Sequence, residues 1–118
     1  MHERLVEAFD DAPVGEQWRA FARAVIAEAE AVAGQSDETE HLVAGAAMLW
    51  AQQVQAEEIR AHKRAVWTVL EAKYGDTTTI RDPDDRVLRA LLAALEPSGN
   101  RADAEDAADW VATVLTGF

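Results

Sequence analysis

Apolar residues recur at spacings of three and four through most of this chain, broken only by short polar, glycine or proline stretches. That period is helical, because side chains three and four apart share a face at 3.6 residues per turn. The longest uninterrupted run covers residues 37–74, with no proline and with Gly45 as its only glycine, between Gly34 and Gly75. Its apolar face moves partway along. Leu42, Ala46, Leu49, Trp50 and Val54 fall on one side. Ile59, Val66, Leu70 and Tyr74 fall on a side about 140° away at roughly 100° per residue, with Trp67 at its edge. The switch lies at Gln55, Ala56, Glu57 and Glu58, all good helix formers. The pattern predicts one long central helix over about 37–74, continuous or mildly bent, with different partners for its two halves.

The flanking segments are shorter and better punctuated. Residues 2–11 read as a helix with Leu5, Val6 and Phe9 inward and Glu3 and Glu7 towards its positive N-terminal end. Asp10, Asp11 and Pro13 end it. Residues 14–33 place Trp18, Phe21, Ala22, Val25, Ala29 and Val32 on one face and Glu16, Arg19, Arg23, Glu28 and Glu30 on the other. Gly34 is the expected stop, and Ser36 or Asp37 the expected cap of the next helix. Residues 76–81 favour strand but have no second strand to pair with, so they read as a loop. Asp82-Pro83-Asp84-Asp85 is a strong helix start: a capping carboxylate, proline at the first helical position, then two acids in the first turn. Val87, Leu88, Leu91, Leu92 and Leu95 form the face that follows, and Pro97-Ser98-Gly99 ends it. A last helix begins near Asn100, buries Ala104, Ala107, Ala108, Val111, Val114 and Leu115, sets Trp110 at its margin and closes at Gly117. The expected fold is all-α: a single domain over 1–118, a four- to five-helix bundle built around the long central helix.

Two faces at different heights need two sets of neighbours. Leu42 to Val54 should meet the helix carrying Trp18. The second half should meet the leucine helix, a second subunit, or both. Val66, Trp67, Leu70 and Tyr74 are the expected seam of a two-fold homodimer. Trp110, also at a stripe edge, is the further expected interaction residue, since tryptophan at such edges commonly anchors interfaces.

Charge narrows the partner. The formal net charge is −11. Residues 1–59 hold three basic and twelve acidic side chains, and residues 60–118 hold eight and ten. This opposes direct binding to nucleic acid or to an anionic membrane and suits a basic protein partner. No stretch approaches the roughly 20 apolar residues that span a bilayer, and the start Met1-His2-Glu3-Arg4 lacks the apolar run of a signal peptide. A cytoplasmic protein is expected.

Candidate chemistry is sparse. There is no cysteine, so disulfides, thiolate metal sites and a thiol nucleophile are excluded. Glu38 with His41, and Glu58 with His62, have chelating spacings, but the two histidines would stand about 30 Å apart on a straight helix. No metal site or cofactor is expected. Arg60, His62, Lys63 and Arg64 form a local basic cluster without phosphate-binding glycines, and pairing with Glu57, Glu58 and nearby acids is the plainer reading. Glu3, Glu7, Asp10, Asp11, Glu28, Glu30, Asp37, Glu38 and Glu40 could imitate phosphates towards a basic groove. Two serines, both in turns, and no nucleophile–base motif point away from an enzyme. The expected function is a small acidic interaction module, self-associating through the central helix. A nucleic-acid mimic and a metal-binding bundle are the alternatives.

Overall fold

A computed structural model describes residues 1–32, 37–52, 55–74 and 83–116. It contains six α-helices: α1 (His2–Asp11), α2 (Gln17–Val32), α3 (Asp37–Ala51), α4 (Ala56–Tyr74), α5 (Pro83–Ala94) and α6 (Arg101–Thr116). No strand occurs among the described residues. The Cα radius of gyration is 13.3 Å, close to the ~13.5 Å of a compact domain of this length. The hub is the α2–α5 pair. Helices α1 and α6 lie against it on one side, α3 and α4 on the other. Phe21, Val25, Val87, Leu88, Leu91, Leu95, Val111 and Val114 are fully buried at its centre. Each large aliphatic side chain removed from water there contributes about 1.5–3 kcal/mol.

The expected long central helix is two helices, and the chain has six helices rather than four or five. Gln52 and Gln55 stand outside helix, and Gln55 is the first residue of the expected switch. The cause is tertiary, since every residue type there favours helix. Stripes 140° apart cannot both face one core while the helix stays straight. Folding the chain back lets Leu42, Val43, Ala46 and Trp50 share a single core with Ile59, Val66 and Leu70. Side chains then fix the end of α3. Arg19 Nε donates to the Trp50 carbonyl at 2.7 Å, placing a cation at the negative end of the helix. Trp50 Nε1 donates to the Ala94 carbonyl at 2.7 Å. Across the hairpin the His62 ring nitrogen Nε2 lies 2.8 Å from the Leu42 carbonyl. Gly45 makes that approach possible, because a Cβ there would stand 2.7 Å from His62 Cε1.

Local signals fare better elsewhere. Helix α1 has the expected bounds, and α5 begins at Pro83. Helix α6 starts with a reciprocal cap at Asn100 and Asp103. The Asn100 N–H donates to Asp103 Oδ2, and the Asp103 N–H donates to Asn100 Oδ1, both at 2.9 Å. Helix α2 starts later than expected. Residues 14–16 form a turn closed by the Glu16 N–H on the Pro13 carbonyl at 2.9 Å, with Gly15 at φ +94°. That left-handed backbone is open to glycine and ends the run towards Val14. As expected, α3 packs on α2 and α4 packs on α5; α4 also packs on α3. Gly34, Gly75 and Gly117 as stops, Ser36 and Asp82 as caps, Val54 in its stripe and the 76–81 loop lie outside the described residues.

Candidate functional site

Helices α4 and α6 both pack on α5 but not on each other among the described residues. Between them lies a groove of about 650 Å³. Its floor is the flank of α5 at Arg89, Leu92 and Ala93, with Glu96 two residues beyond the end of that helix. One wall is Lys63 and Trp67, a turn apart on α4. The other is Asp103, Asp106, Ala107 and Trp110 on α6. Trp18 and Ser98 complete the lining. The spacings three and four that expose one flank of a helix therefore recur on both α5 and α6.

Indole N–H groups fix much of this geometry. The last carbonyls of a helix have no partner inside it. At the end of α5, Trp50 takes the Ala94 carbonyl, and Trp18 Nε1 takes the Glu96 carbonyl just beyond it at 2.8 Å. Trp18 also packs its ring 5.1 Å from that of Phe21. Trp110 Nε1 donates to the Arg89 carbonyl at 3.2 Å, tying the α6 wall to the floor. Trp67 differs: among the described residues its N–H makes no hydrogen bond. Trp67 and Trp110 are each 42% exposed, large apolar surfaces left in water on facing walls.

The groove is electrostatically lopsided. Lys63 pairs with Glu96, joining the α4 wall to the floor. Arg89 Nε is 2.9 Å from Asp85 Oδ1, and that carboxylate is fully buried. Both groove cations are therefore held by acids of the chain itself. On the α6 wall Asp103 caps its own helix, and Asp106 has no ion-pair partner among the described residues. The acidic wall is open to a cation.

The residues expected to mediate interaction divide. Trp67 and Trp110, on separate helices, come together on one groove. Val66 and Leu70 do not stand at the surface: they are 0% and 2% exposed and belong to the core, because α4 turns that stripe inward onto α3 and α5. The Tyr74 side chain lies outside the described residues. Trp18, expected in the core, is half-buried: it packs against the core and also lines the groove. Lys63, Asp103 and Asp106 were not expected at such a site. A signal for it was present in α5, where Leu92 and Ala93 widen the apolar arc beyond Leu88, Leu91 and Leu95 and so call for a neighbour on a further side.

Other candidate chemistry is absorbed by the fold. Arg64 reaches Glu57 at 3.4 Å and Arg60 reaches it at 4.0 Å. The hairpin brings His41 and His62 to one shallow groove with Glu58, against the separation a straight helix would impose. No three histidine or acidic residues there form a metal-holding group among the described residues. Of the possible phosphate imitators, Glu28 is held by Arg4 at 2.9 Å and Asp10 by Arg101 at 2.8 and 3.1 Å. Arg101 lowers the Asp10 carboxyl below its ordinary value, chiefly through this hydrogen bonding. Among the described residues no helix is long and apolar enough to cross a membrane.

No protein-family model, curated protein or solved structure matches this chain.

Proposed function

We propose that this protein is a binding module rather than an enzyme, and that the groove between α4 and α6 takes a segment of a basic protein partner. The observation that carries this reading is the convergence of Trp67 and Trp110, each 42% exposed, on one groove from separate helices. Exposed tryptophan facing a concave, mainly apolar surface is the usual composition of an energetic centre in an interface. The net charge of −11 and the open carboxylate of Asp106 set the sign of the partner.

Self-association was expected to run through Val66, Trp67, Leu70 and Tyr74; the burial of Val66 and Leu70 argues against that seam, while Trp67 stays exposed. Two chains of charge −11 also repel. The proposed state in solution is therefore a monomer awaiting a different protein, and mass by light scattering checks it. The acidic decoy needs open carboxylates at regular spacing, whereas Asp10 and Glu28 are already engaged.

The test is differential capture from the host. Wild type and a Met48→Ala control, whose site is exposed and outside the groove lining, should retain the same partner. Trp67→Ala and Trp110→Ala should lose it. A captured protein that ignores both tryptophan changes overturns the groove as the binding surface.

A further inference from the structure

We propose that the occupant of this groove is an amphipathic α-helical segment of about two turns, carrying basic residues on the flank that faces α6. This rests on the groove being the binding surface, and adds the conformation and charge of what binds.

Dimension comes first. The floor runs from Arg89 to Glu96 and the α6 wall from Asp103 to Trp110. The α6 step of seven residues is about 10.5 Å at 1.5 Å per residue, or two helical turns; on the floor the helical part is Arg89 to Ala93. Among the described residues α4 and α6 make no contact over their shared α5, which is the place a neighbouring helix would fill in a bundle. Leu92, Ala93 and Ala107 keep the middle of the lining apolar and low. The small residues Ala93 and Ala107 let a helix approach closely.

Backbone chemistry then selects helix over extended peptide. The α4 and α6 walls, and the floor from Arg89 to Ala93, are flanks of helices, whose N–H and C=O groups bond within those helices. There is no strand edge among the described residues for a peptide to extend. An extended segment would press its own backbone groups against Trp67, Leu92, Ala93 and Trp110 unbonded, and such buried groups are costly. A helix brings its backbone already satisfied, which is the physics of helix-in-groove recognition.

Charge selects the flank. Lys63 and Arg89 already have carboxylate partners, whereas Asp106 has none among the described residues. A lysine or arginine on the α6 side of the ligand meets Asp106 and Asp103, and its stem lies along Trp110, where a cation over an aromatic face is attracted. A second copy of this chain, itself at −11, is a poor occupant.

Three synthetic 14-residue peptides test this by titration into the ¹⁵N-labelled full chain. One has an apolar helical stripe flanked by lysines, one has the same stripe flanked by glutamates, and one is the lysine peptide with a central proline. The lysine peptide should shift the indole signals of Trp67 and Trp110 and the Asp106 amide. Its affinity should fall at least about 30-fold in Trp67→Ala, as expected for a central tryptophan anchor. The glutamate and proline peptides should bind at least tenfold more weakly. Asp106→Lys should invert the preference between the lysine and glutamate peptides, which a damaged fold would not do. Equal binding of the proline peptide, or of the glutamate peptide, overturns the basic helix while leaving the groove as the binding surface. Concentration-dependent dimerisation that shifts the groove signals also overturns it, in favour of a second copy. If no peptide moves groove signals at millimolar concentration the proposal fails, and the capture experiment above decides the groove separately.

Discussion

The hairpin between α3 and α4 makes an energetic claim that a straight helix cannot make: Gly45 and His62 are coupled. In an ordinary helix interior, Gly→Ala stabilises by about 0.5–1 kcal/mol. Here the new Cβ would stand 2.7 Å from His62 Cε1 and 3.3 Å from its Nε2. The ring must move, and the hydrogen-bonded contact of His62 with the Leu42 carbonyl, 2.8 Å long, is lost. That contact is worth about 0.5–1.5 kcal/mol net. Gly45→Ala in the wild-type chain should therefore be near neutral or destabilising. In a His62→Ala background the obstruction is gone, and the same change should stabilise by about 0.5–1 kcal/mol. The coupling, read from urea unfolding of the four proteins by tryptophan fluorescence, should reach about 0.5–1.5 kcal/mol. On a straight helix the two residues, 17 apart in the chain, would stand ~25 Å from each other. Their effects would then add within about 0.3–0.5 kcal/mol. Additivity within that margin would refute the folded-back arrangement.

Two further perturbations bear on the helix ends. Trp50→Phe keeps the buried ring but leaves the Ala94 carbonyl without its donor at the end of α5, so the urea midpoint should fall by the equivalent of about 1–3 kcal/mol; an unchanged midpoint would mean that the indole does not cap α5. The Asp10 carboxyl, lowered from its ordinary 3.8 by Arg101, links α1 to α6 with a pH dependence of definite sign. The stabilising link is complete above the ordinary aspartate value and is lost as pH falls through the lower, folded-state one. Carboxyl-carbon NMR titration should show an Asp10 midpoint below 3.8 that returns towards it in Arg101→Gln; equal midpoints in both proteins would rule out the pairing.

What could be read from the residues divides by the range of the forces involved. Helices α1, α5 and α6 have local punctuation: Pro13 beyond the first, Pro83 at the start of α5, and the Asn100–Asp103 cap of α6. Such signals act within a few residues, so the chain announces them. The break between α3 and α4 has none. It is imposed by Arg19, Trp50 and His62 acting on partners 20 to 44 residues away, and by the gain from burying two stripes in one core. The same change of stripe that pointed to two sets of partners was in fact the signature of a turn. Val66 and Leu70 followed from that misreading, because a projecting half-helix would expose them and a hairpin buries them. Trp67 and Trp110 were legible as edge residues because edge position depends on helical phase alone. That they face one groove depends on α4 and α6 flanking α5 without touching among the described residues, which no local pattern encodes.

The axis of the molecule is therefore α5 with α2, and the tryptophans take their roles from how they meet α5. Trp18 and Trp50 satisfy carbonyls at its end, and Trp110 is fixed to the Arg89 carbonyl. A side chain already held in place loses little freedom when a ligand arrives, which favours affinity. Trp67 is held by no hydrogen bond among the described residues, so its N–H remains available to an acceptor on a partner. The two exposed tryptophans should then respond differently to removal of the N–H alone. Trp110→Phe should destabilise the free protein by about 0.5–1.5 kcal/mol. Trp67→Phe should stay within about 0.5 kcal/mol of wild type, as surface changes away from hydrogen-bonded sites do. Urea midpoints of the two variants decide this with no partner in hand. If Trp67→Phe destabilises the protein and Trp110→Phe does not, then Trp67 serves the fold, and the rigid and the adaptable walls of the groove have been assigned to the wrong helices.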